Sequence, residues 1–466
     1  MKRRDFFRTG AAATVGTAIW SPGQTLDLNQ SHRKGTKAKN IIFLVSDGMS
    51  TGTLNMADLL RQRKEGRSSH WLGLYRANKV RRALMDTASA SSLITDSAAA
   101  SSAWGGGVRV NNGALNVGPD GQSYRPILQK FKSAGKAVGC VTTVPITHAT
   151  PAGFCVNSKS RGSMEDIALQ YLDLRFDVML GGGTEVFSAD KRADKADLFG
   201  QFRQQGYQVV KSRTDLLGGL GKGPLLGVFH PDGLPYALDR EQDNDLKSRI
   251  PTLAEMTATA ISRMQGNANG FVLQVESGKV DWAAHANDVG ALLYDQLAFD
   301  DAVKVAVDFA EKDKETLVII TTDHGNGDPA LLYGAKADQN FDRIQTFKHT
   351  NEWILTGIDK ATTPAQLVER IEAAQGIVVT SDETKSLLTH YEHLDETGVY
   401  NPRKLPYRQL AALQTAHTSV GWAGMDHTAD FVELAMLGPG SELLPAFVKN
   451  TDLHTLMLTA AEVTTK

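Results

Sequence analysis

Continuous apolar runs recur along the chain, and polar residues follow most of them at once. The clearest runs are NIIFLVSDG (40–48), AVGCVTTV (137–144), FDVMLGGG (176–183), GFVLQVESG (270–278) and TLVIITTDHG (316–325). Strands buried on both faces have unbroken apolar sequences, whereas half-exposed strands alternate. Stretches of helical character, such as 163–172 and 253–263, separate the runs. The pattern predicts an α/β doubly wound fold, with a mostly parallel central sheet and helices on both faces.

The segment from about 330 to 425 departs from this alternation. It contains the polar, helical pieces TPAQLVERIEAAQ and LPYRQLAALQTAH and no long apolar run. We therefore predict one domain over residues 35–466 with an insertion at 330–425. The insertion is expected to lie over the edge of the sheet as a cap or as an oligomer contact, and a homodimer stays open.

The N-terminal sequence MKRRDFFRTGAAATVGTAIW places two adjacent arginines, Arg3 and Arg4, before a weakly apolar run. This pattern is typical of a twin-arginine export signal, so residues 1–34 are predicted to be a signal and a flexible N-terminus, cleaved between 18 and 34. The run is too short and polar to span a membrane, which requires about 20 apolar residues. We expect a periplasmic or secreted protein without a membrane span; the alternative is a basic tail.

Composition narrows the choice of partners. The formal net charge is −2, so no basic excess is present to neutralise nucleic-acid phosphates. Two cysteines occur, Cys140 in a predicted strand and Cys155 in a predicted helix. An exported protein could pair them, but we favour two buried thiols.

Ligand-type side chains follow several of the apolar runs. Asp47 ends the first run, Glu276 lies near the end of the fourth, and Asp323 and His324 end the fifth. In open α/β sheets, ligands bind where the carboxyl ends of the strands meet. We therefore expect these residues, which are far apart in sequence, to converge.

Three more residues fit the same pattern. Asp281 and His285 are four positions apart in VDWAAHAND and would share one helix face, and His427 precedes another apolar run. Each alone is more often a solvated or structural residue. Carboxylates gathered at one place would repel and raise their pKa values, and bound cations would remove that cost. Together the residues predict a site for several metal ions.

The stretch TDSAAASSAWGGG begins with Asp96 and Ser97 in front of a small-residue segment. The plainer interpretation is a helix N-cap. The second is a serine nucleophile at the positive end of a helix, where an anion is favoured. The two interpretations are compatible.

Taken in order, several segments resemble the alkaline phosphatase family. They are VSDGM, TDSAAASSAW, NNGAL, VTTVPITHATPAGF, FVLQVESGKVDWAAHAND, TTDHG and DHTAD, and they span residues 40–330 and 421–440. The Asp-Ser-Ala segment combined with the Glu and Asp-x-x-x-His segment is highly specific, whereas Asp-His alone is not.

The resemblance implies hydrolysis of small phosphate monoesters through a phosphoserine, with two Zn²⁺ and one Mg²⁺. Ser97 would be the nucleophile. The first zinc would be held by Asp281, His285 and His427, and the second by Asp47, Asp323, His324 and Ser97. The magnesium would be held by Asp47, Thr150 and Glu276. Arg161 would bind the phosphate, and Asp96 would orient Arg161.

Two positions depart from some bacterial members of that family, which have Asp and Lys where this chain has His148 and Trp282. His148 could bind the third metal and favour zinc over magnesium there. Trp282 cannot supply the charge of a lysine to the phosphate, so we expect phosphate to be held less tightly and released faster.

Three alternatives stay open. A phosphodiesterase or sulfatase of the same superfamily would share the fold and most ligands. A non-catalytic periplasmic protein that binds metal or phosphate is more remote. A Ser-His-Asp hydrolase is disfavoured because no G-x-S-x-G segment surrounds the serine.

Overall fold

The computed structural model describes residues 37–219, 221, 223–399 and 401–464. The predicted export signal at 1–34 lies outside these residues. The strands in the described part are β1 (Asn40–Ser46), β2 (Arg81–Asp86), β3 (Ala137–Pro145), β4 (Val178–Gly182), β5 (Gln208–Val210), β6 (Leu225–Val228), β7 (Phe271–Ser277), β8 (Thr316–Thr321), β9 (Gly325–Asn326), β10 (Ala330–Leu331), β11 (Val420–Gly421), β12 (His427–Thr428), β13 (Val432–Leu437) and β14 (Phe447–Lys449).

Ten of these described strands form one sheet in the order β14-β2-β13-β8-β1-β7-β3-β4-β6-β5. The strands from β8 to β5 are parallel to one another, and β13 is antiparallel to both of its neighbours, β2 and β8. The prediction of a mostly parallel sheet is confirmed. β1 lies between β8 and β7 in the sheet, although both follow it by more than 200 residues in the chain. The sheet therefore places distant segments side by side.

Helices cover both faces of the sheet. They are α1 (Thr51–Glu65), α2 (His70–Arg76), α3 (Ser97–Gly106), α4 (Ile127–Ser133), α5 (Ala149–Cys155), α6 (Met164–Leu174), α7 (Thr184–Phe187), α8 (Leu198–Gln204), α9 (Arg213–Leu217), α10 (Ala237–Gln242), α11 (Asn244–Arg249), α12 (Leu253–Met264), α13 (Lys279–His285), α14 (Val289–Asp313), α15 (Ala337–Asp342), α16 (Asn351–Thr356), α17 (Pro364–Gln375), α18 (Ser381–Glu392), α19 (Glu396–Val399), α20 (Tyr407–Thr418) and α21 (Asp452–Ala460).

The alternation of side chains along β1 shows why its sequence is apolar throughout. Ile42 and Leu44 belong to the core cluster on one face, which also contains residues of α1, α12 and α14. Ile41, Phe43 and Val45 belong to the cluster on the other face, with residues of α3, α5 and α21. Successive residues of a strand point to opposite faces, so a strand covered on both sides needs apolar residues at every position.

The segment at 330–425 contains the helices α15 to α20 and the small antiparallel pair β10-β11. Both of its predicted helical pieces are helices, α17 and α20. The backbone N–H of Asn351 at the start of α16 donates to Asp288, the N-cap of the long helix α14. The amides of Asn351, Gln375 and Gln414 bond to one another in the buried space between α16, α17 and α20. Its role as a cap or an oligomer contact stays a prediction.

Cys140 in β3 and Cys155 at the end of α5 are free and buried, with their Sγ atoms 3.7 Å apart. This matches the favoured interpretation of two buried thiols. Separately, no helix within the described residues has the length and apolar character needed to cross a bilayer.

Candidate active site

The carboxyl ends of β1, β7 and β8 bring the first group of predicted ligands together. In the sheet register, Val45 of β1 lies beside Glu276 of β7 and Thr321 of β8. Asp47 therefore emerges between Glu276 and the pair Asp323-His324 that follows β8. All four side chains are fully buried. The predicted convergence of these chain segments is confirmed.

Gly48 allows Asp281 to approach Asp47. Its φ is +67°, a left-handed conformation that glycine adopts without strain. A Cβ at this position would lie 2.5 Å from Oδ1 of Asp281 and 2.9 Å from its Cα. Any side chain would push α13 away from β1. Glycine is therefore required both for the positive φ and for this close approach.

Asp281, His285 and His427 form one cluster. Nε2 of His285 lies 3.5 Å from Oδ2 of Asp281, and Nε2 of His427 lies 3.6 Å from Oδ1. The two Nε2 atoms are 3.1 Å apart. His285 Nδ1 lies 2.7 Å from the carbonyl of Met425, and His427 Nδ1 lies 2.8 Å from that of Thr95. Each Nδ1–H donates to a carbonyl, so the Nε2 atoms are the free ring nitrogens, and both face one point where a cation could bind.

Asn326 supports this cluster and has no signature in the sequence. Its amide Nδ2 donates to Oδ1 of Asp281 at 2.7 Å. Asn326 is in β9, and the antiparallel pairing of β9 with β12 places it opposite His427. The β9–β12 pairing therefore positions His427 and, through Asn326, orients Asp281.

Ser97 belongs to a second cluster, with Asp47, Asp323 and His324. Its Oγ lies 3.3 Å from Nε2 of His324. That nitrogen lies 3.3 Å from Oδ2 of Asp323 and 3.6 Å from Oδ1 of Asp47. In a Ser-His-Asp triad the carboxylate instead bonds to Nδ1–H, on the far side of the ring from the serine. Here Nδ1 faces the carbonyl of Gly325 at 3.3 Å, so the arrangement suits a metal ion.

Ser97 is the first residue of α3, and Asp96 is its N-cap, accepting from the N–H of Ala99. The predicted cap is confirmed. Oδ2 of Asp96 also accepts from the N–H of Gly113 and from Arg161 Nη1, each at 3.0 Å. Asp96 therefore joins the start of the helix to the guanidinium of Arg161.

Glu276, Thr150 and Asp47 lie together behind the serine. The Thr150 hydroxyl donates to Oδ2 of Asp47 at 3.3 Å. The Thr142 hydroxyl donates to Oε2 of Glu276. Thr142 lies in the segment VTTVPITHATPAGF but was not predicted to contact the site. Oδ1 of Asp47, Oε1 of Glu276 and Oδ2 of Asp323 are buried without a hydrogen-bond partner among the described residues. Buried polar atoms rarely stay unsatisfied, so these oxygens fit bound cations.

The pKa values of the clustered carboxyls reflect their burial and the charges around them. Burial, followed by the charges of neighbouring carboxylates, raises the pKa of Asp47. Burial raises the pKa of Glu276 to about 7 and that of Asp323 to about 6. Asp281 differs: burial raises its pKa, but positive charge on the surrounding histidines lowers it to about 2. The predicted upward shift holds for three carboxyls and is wrong for Asp281, because imidazoles surround it.

His148, Arg161 and Trp282 form a connected group that reaches Asp96, the residue before Ser97. Nη2 of Arg161 lies 3.0 Å from Nε2 of His148. A guanidinium only donates, so Nε2 accepts and the ring proton is on Nδ1. Burial, and then the charge of Arg161, lowers the pKa of His148 to about 3, which keeps the ring neutral. The Trp282 ring lies edge-on to that of His148, with centroids 6.2 Å apart.

Three groups of the described residues place potential ligand atoms close enough to share an ion near Ser97. They are Asp281 with His324 and His427, Asp47 with Asp323 and His324, and Asp47 with His148 and Glu276. The first group contains His324, whose ring stacks on His427 with centroids 3.7 Å apart. The resemblance assigns His285 to that ion. The donors gather at the carboxyl ends of a doubly wound sheet, around a serine at a helix N-terminus, and this arrangement is typical of metal-dependent hydrolytic enzymes.

Comparison with known proteins gives the family. The model of the family described as alkaline phosphatase matches residues 38–463, and the chain belongs to that family. It is 32% identical over 454 residues to alkaline phosphatase 4 of Bacillus subtilis, covering 95% of this chain and 94% of that protein. It is 31% identical to the Escherichia coli K12 alkaline phosphatase, over 64% of this chain and 73% of that one.

The fold agrees with solved structures. The Thermus thermophilus alkaline phosphatase superposes with a TM-score of 0.85 at 31% identity, covering 96% of this chain and 97% of that one. A cold-active alkaline phosphatase from Shewanella gives a TM-score of 0.77 at 25% identity, covering 91% and 99%. The protein is a phosphatase of a metal-dependent family that hydrolyses phosphate monoesters. The alternative of a non-catalytic binding protein is thereby disfavoured.

Proposed function

We propose that this chain hydrolyses small phosphate monoesters through a phosphoserine at Ser97, in a site for two Zn²⁺ and one Mg²⁺. One observation carries the proposal. The Ser97 hydroxyl lies at the N-terminus of α3, 3.3 Å from a buried imidazole lone pair and beside carboxylate oxygens that lack partners. Bound cations would satisfy these acceptors together while leaving the carboxylates ionised, and metal coordination is one established way to activate a serine.

The ligand sets divide by donor chemistry. Asp281, His285 and His427 would hold one zinc, and Asp47, Asp323 and His324 the other, since imidazole and carboxylate suit zinc. Asp47, Thr150 and Glu276 offer only oxygen, which suits magnesium. When bound, the ions favour deprotonation of the serine and of the hydrolytic water, and neutralise charge on the leaving oxygen.

The chain's own residues account for positioning. Ser97 Oγ attacks phosphorus while the free N–H groups of α3 and the guanidinium of Arg161 bind the non-bridging oxygens. Asp96 and His148 hold the two terminal nitrogens of that guanidinium from either side. Water then attacks the phosphoserine from the face that the alcohol left and releases phosphate. Two in-line displacements give net retention at phosphorus.

His148 bears on the identity of the third ion. Its lone pair at Nε2 is already used by Arg161, and its Nδ1, which carries the proton, is buried without a partner in the described chain. A neutral imidazole has one lone pair, so His148 binds either Arg161 or a metal. We therefore favour magnesium on the oxygen set, with zinc replacing it only where Arg161 releases His148. Metal analysis of wild type and His148→Asn tests this, because magnesium content should be equal in the two.

Export by the twin-arginine pathway to the periplasm or medium remains part of the proposal and is supported by the N-terminal sequence. Conservative Arg3→Lys and Arg4→Lys changes should leave the protein inside cells. Equal export of the double variant contradicts the assignment.

The decisive experiment is single-turnover trapping. Metal-loaded protein mixed with a labelled monoester and quenched in acid should carry one phosphate on Ser97, located by peptide mass spectrometry. Ser97→Ala should show none. Rates on a matched monoester, diester and sulfate ester separate the sibling activities. Faster turnover of the diester or sulfate ester contradicts the monoesterase proposal.

A further inference from the structure

A buried lysine lies behind the phosphate-binding side of the site. Lys279 is the first residue of α13 and is 3% exposed. Within the described residues its ammonium has no carboxylate within ion-pair distance and no hydrogen-bond acceptor. It lies instead over two aromatic faces, 3.6 Å from the ring centroid of Tyr236 and 4.6 Å from that of Trp282. The side chain is buried, although Nζ keeps some contact with solvent. Because even partial burial of a charge is costly, its place against two aromatic rings calls for an explanation.

The aromatic faces offset part of that cost. A cation above an aromatic ring is attracted by its quadrupole, more strongly when both are shielded from water. Asp295 on α14 lies farther away: burial raises its pKa to about 7, and the charge of Lys279 opposes that rise. A methionine would fill the same space without a charge, so packing alone does not explain the lysine.

Trp282 is held on several sides. Lys279 lies on its ring, and a Cβ on Gly233 would come within 2.8 Å of the indole, so the backbone there touches it closely. The indole also contacts the His148 ring edge-on, with centroids 6.2 Å apart, and stays partly exposed. These contacts restrict the indole, and the indole in turn restricts the imidazole beside it.

A continuous series of contacts then leads from Lys279 through Trp282, His148 and Arg161 to Asp96. His148 Nε2 accepts from Nη2 of Arg161, and Arg161 Nη1 donates to Asp96, the residue before the nucleophile. Removal of the ammonium frees the indole to rotate, which in turn frees the imidazole that holds one arm of the guanidinium. A bidentate contact with phosphate depends on that arm being held in plane.

We propose that Lys279 is a positioning residue, which sets the orientation of Arg161 toward phosphate through Trp282 and His148. The inference rests on the proposed role of Arg161 in phosphate binding. It assigns a function to a side chain that touches neither metal nor substrate.

The test is a double-mutant cycle on the metal-loaded enzyme, read by the inhibition constant of inorganic phosphate and by KM and kcat on one monoester. Lys279→Met should raise the inhibition constant and KM about three- to tenfold, as for mutations along a contact network. The change in kcat should be smaller. Lys279→Arg should stay within about twofold of wild type, since the cation is retained. In an Arg161→Ala background, Lys279→Met should have no further effect.

Lys136→Met is the matched control. Lys136 is also buried, but its ammonium donates to the carbonyls of Lys39 and Asn269 at the opposite end of the sheet. The Lys136→Met variant should have a lower melting temperature but the same inhibition constant for phosphate as wild type. Equal effects of Lys279→Met in both backgrounds overturn the inference, as does an unchanged inhibition constant in Lys279→Met. If Arg161→Ala leaves the inhibition constant of phosphate unchanged, Arg161 does not bind phosphate. That result would contradict both the proposed role of Arg161 and this inference.

Discussion

The facing Nε2 atoms of His285 and His427 show how individual side chains define this site. Each ring has its Nδ1 proton committed to a backbone carbonyl, from Met425 and Thr95. That commitment leaves one lone pair per ring, and both lone pairs point to the space beside Asp281. The sequence predicted these two residues as ligands, but the tautomer, which decides whether a ring can bind metal, depends on these carbonyls.

Asn326→Ala should weaken binding of the proposed zinc ion at the Asp281 cluster. The amide of Asn326 donates to Oδ1 of Asp281, and loss of such an outer contact typically costs about 10- to 100-fold in metal affinity or activity. Competition with a chelator of known affinity measures the change. Asn340→Ala is the control, since Asn340 bonds within the insertion to Ala416 and Ser419. Equal zinc affinity in the two variants would count against the role of Asn326.

Trp282→Lys should strengthen inhibition by phosphate. The lysine would add a positive charge beside His148, and a charge-assisted contact contributes about 1.5–3 kcal/mol, or roughly ten- to a hundredfold in the inhibition constant. That gain should exceed the roughly three- to tenfold loss expected when the indole no longer holds His148. Product release should slow accordingly, so kcat should fall if release limits turnover. Steady-state inhibition at constant ionic strength gives the answer. An unchanged or weaker inhibition contradicts the idea that Trp282 favours release.

Helix α14 and the insertion illustrate how elements are joined. Asp288 caps α14 through the N–H of Ala291 and accepts from the N–H of Asn351 at the start of α16. One buried carboxyl thus closes a helix and fixes the insertion. Neither the cap nor the docking contact follows from the polarity pattern at 330–425, which predicted helices but not their attachment.

Asp288→Ala should lower stability by about 1–3 kcal/mol, through loss of the cap and an unsatisfied buried N–H. Burial raises the pKa of Asp288 to about 7, above the unfolded value near 3.9. The folded state therefore binds the proton more tightly, and this carboxyl's contribution falls as pH rises from about 4 to 7. The difference in melting temperature from wild type should be larger at pH 5 than at pH 8. Amide exchange at 351–356 should also accelerate; exchange equal to wild type refutes the docking role.

The fold buries the carboxyl groups of Asp47, Glu276 and Asp323 together. The free energy of unfolding should therefore depend on whether metal ions are bound there. Without ions, the raised pKa values of Asp47, Glu276 and Asp323 mean that these groups are protonated in the folded state at a pH where the unfolded chain ionises them. The metal-free protein should therefore lose stability as pH rises through about 6 to 7, the values of Asp323 and Glu276.

Chelation should consequently lower the melting temperature more at pH 8 than at pH 5. Added zinc and magnesium should restore both stability and activity, because ligands that bind only the folded state stabilise it. Scanning calorimetry at the two pH values, with and without chelator, measures this. A chelator effect that is equal or larger at pH 5 is the contrary outcome.

Much of the fold, and the convergence of the candidate ligands at one edge of the sheet, could be predicted because both rest on local signals. Apolar runs buried on two faces identify β1, β7 and β8, and residues directly after such strands meet at one edge. The four-residue spacing of Asp281 and His285, and the cap at Asp96, are likewise short-range features. The insertion's attachment and the low pKa of Asp281 were not predictable in this way.

The amino-acid sequence alone determined which side chains could bind metal and which strand ends would carry them, because strand burial and helix spacing act over a few residues. The tertiary structure decided which lone pairs are free and how Asn326, Thr142 and Lys279 support the site. It also decided that His148 bonds to Arg161. The pairs Asn326–Asp281, Thr142–Glu276 and Thr95–His427 are separated by 45, 134 and 332 residues. No short-range pattern encodes such contacts, since they exist only when the whole sheet has assembled.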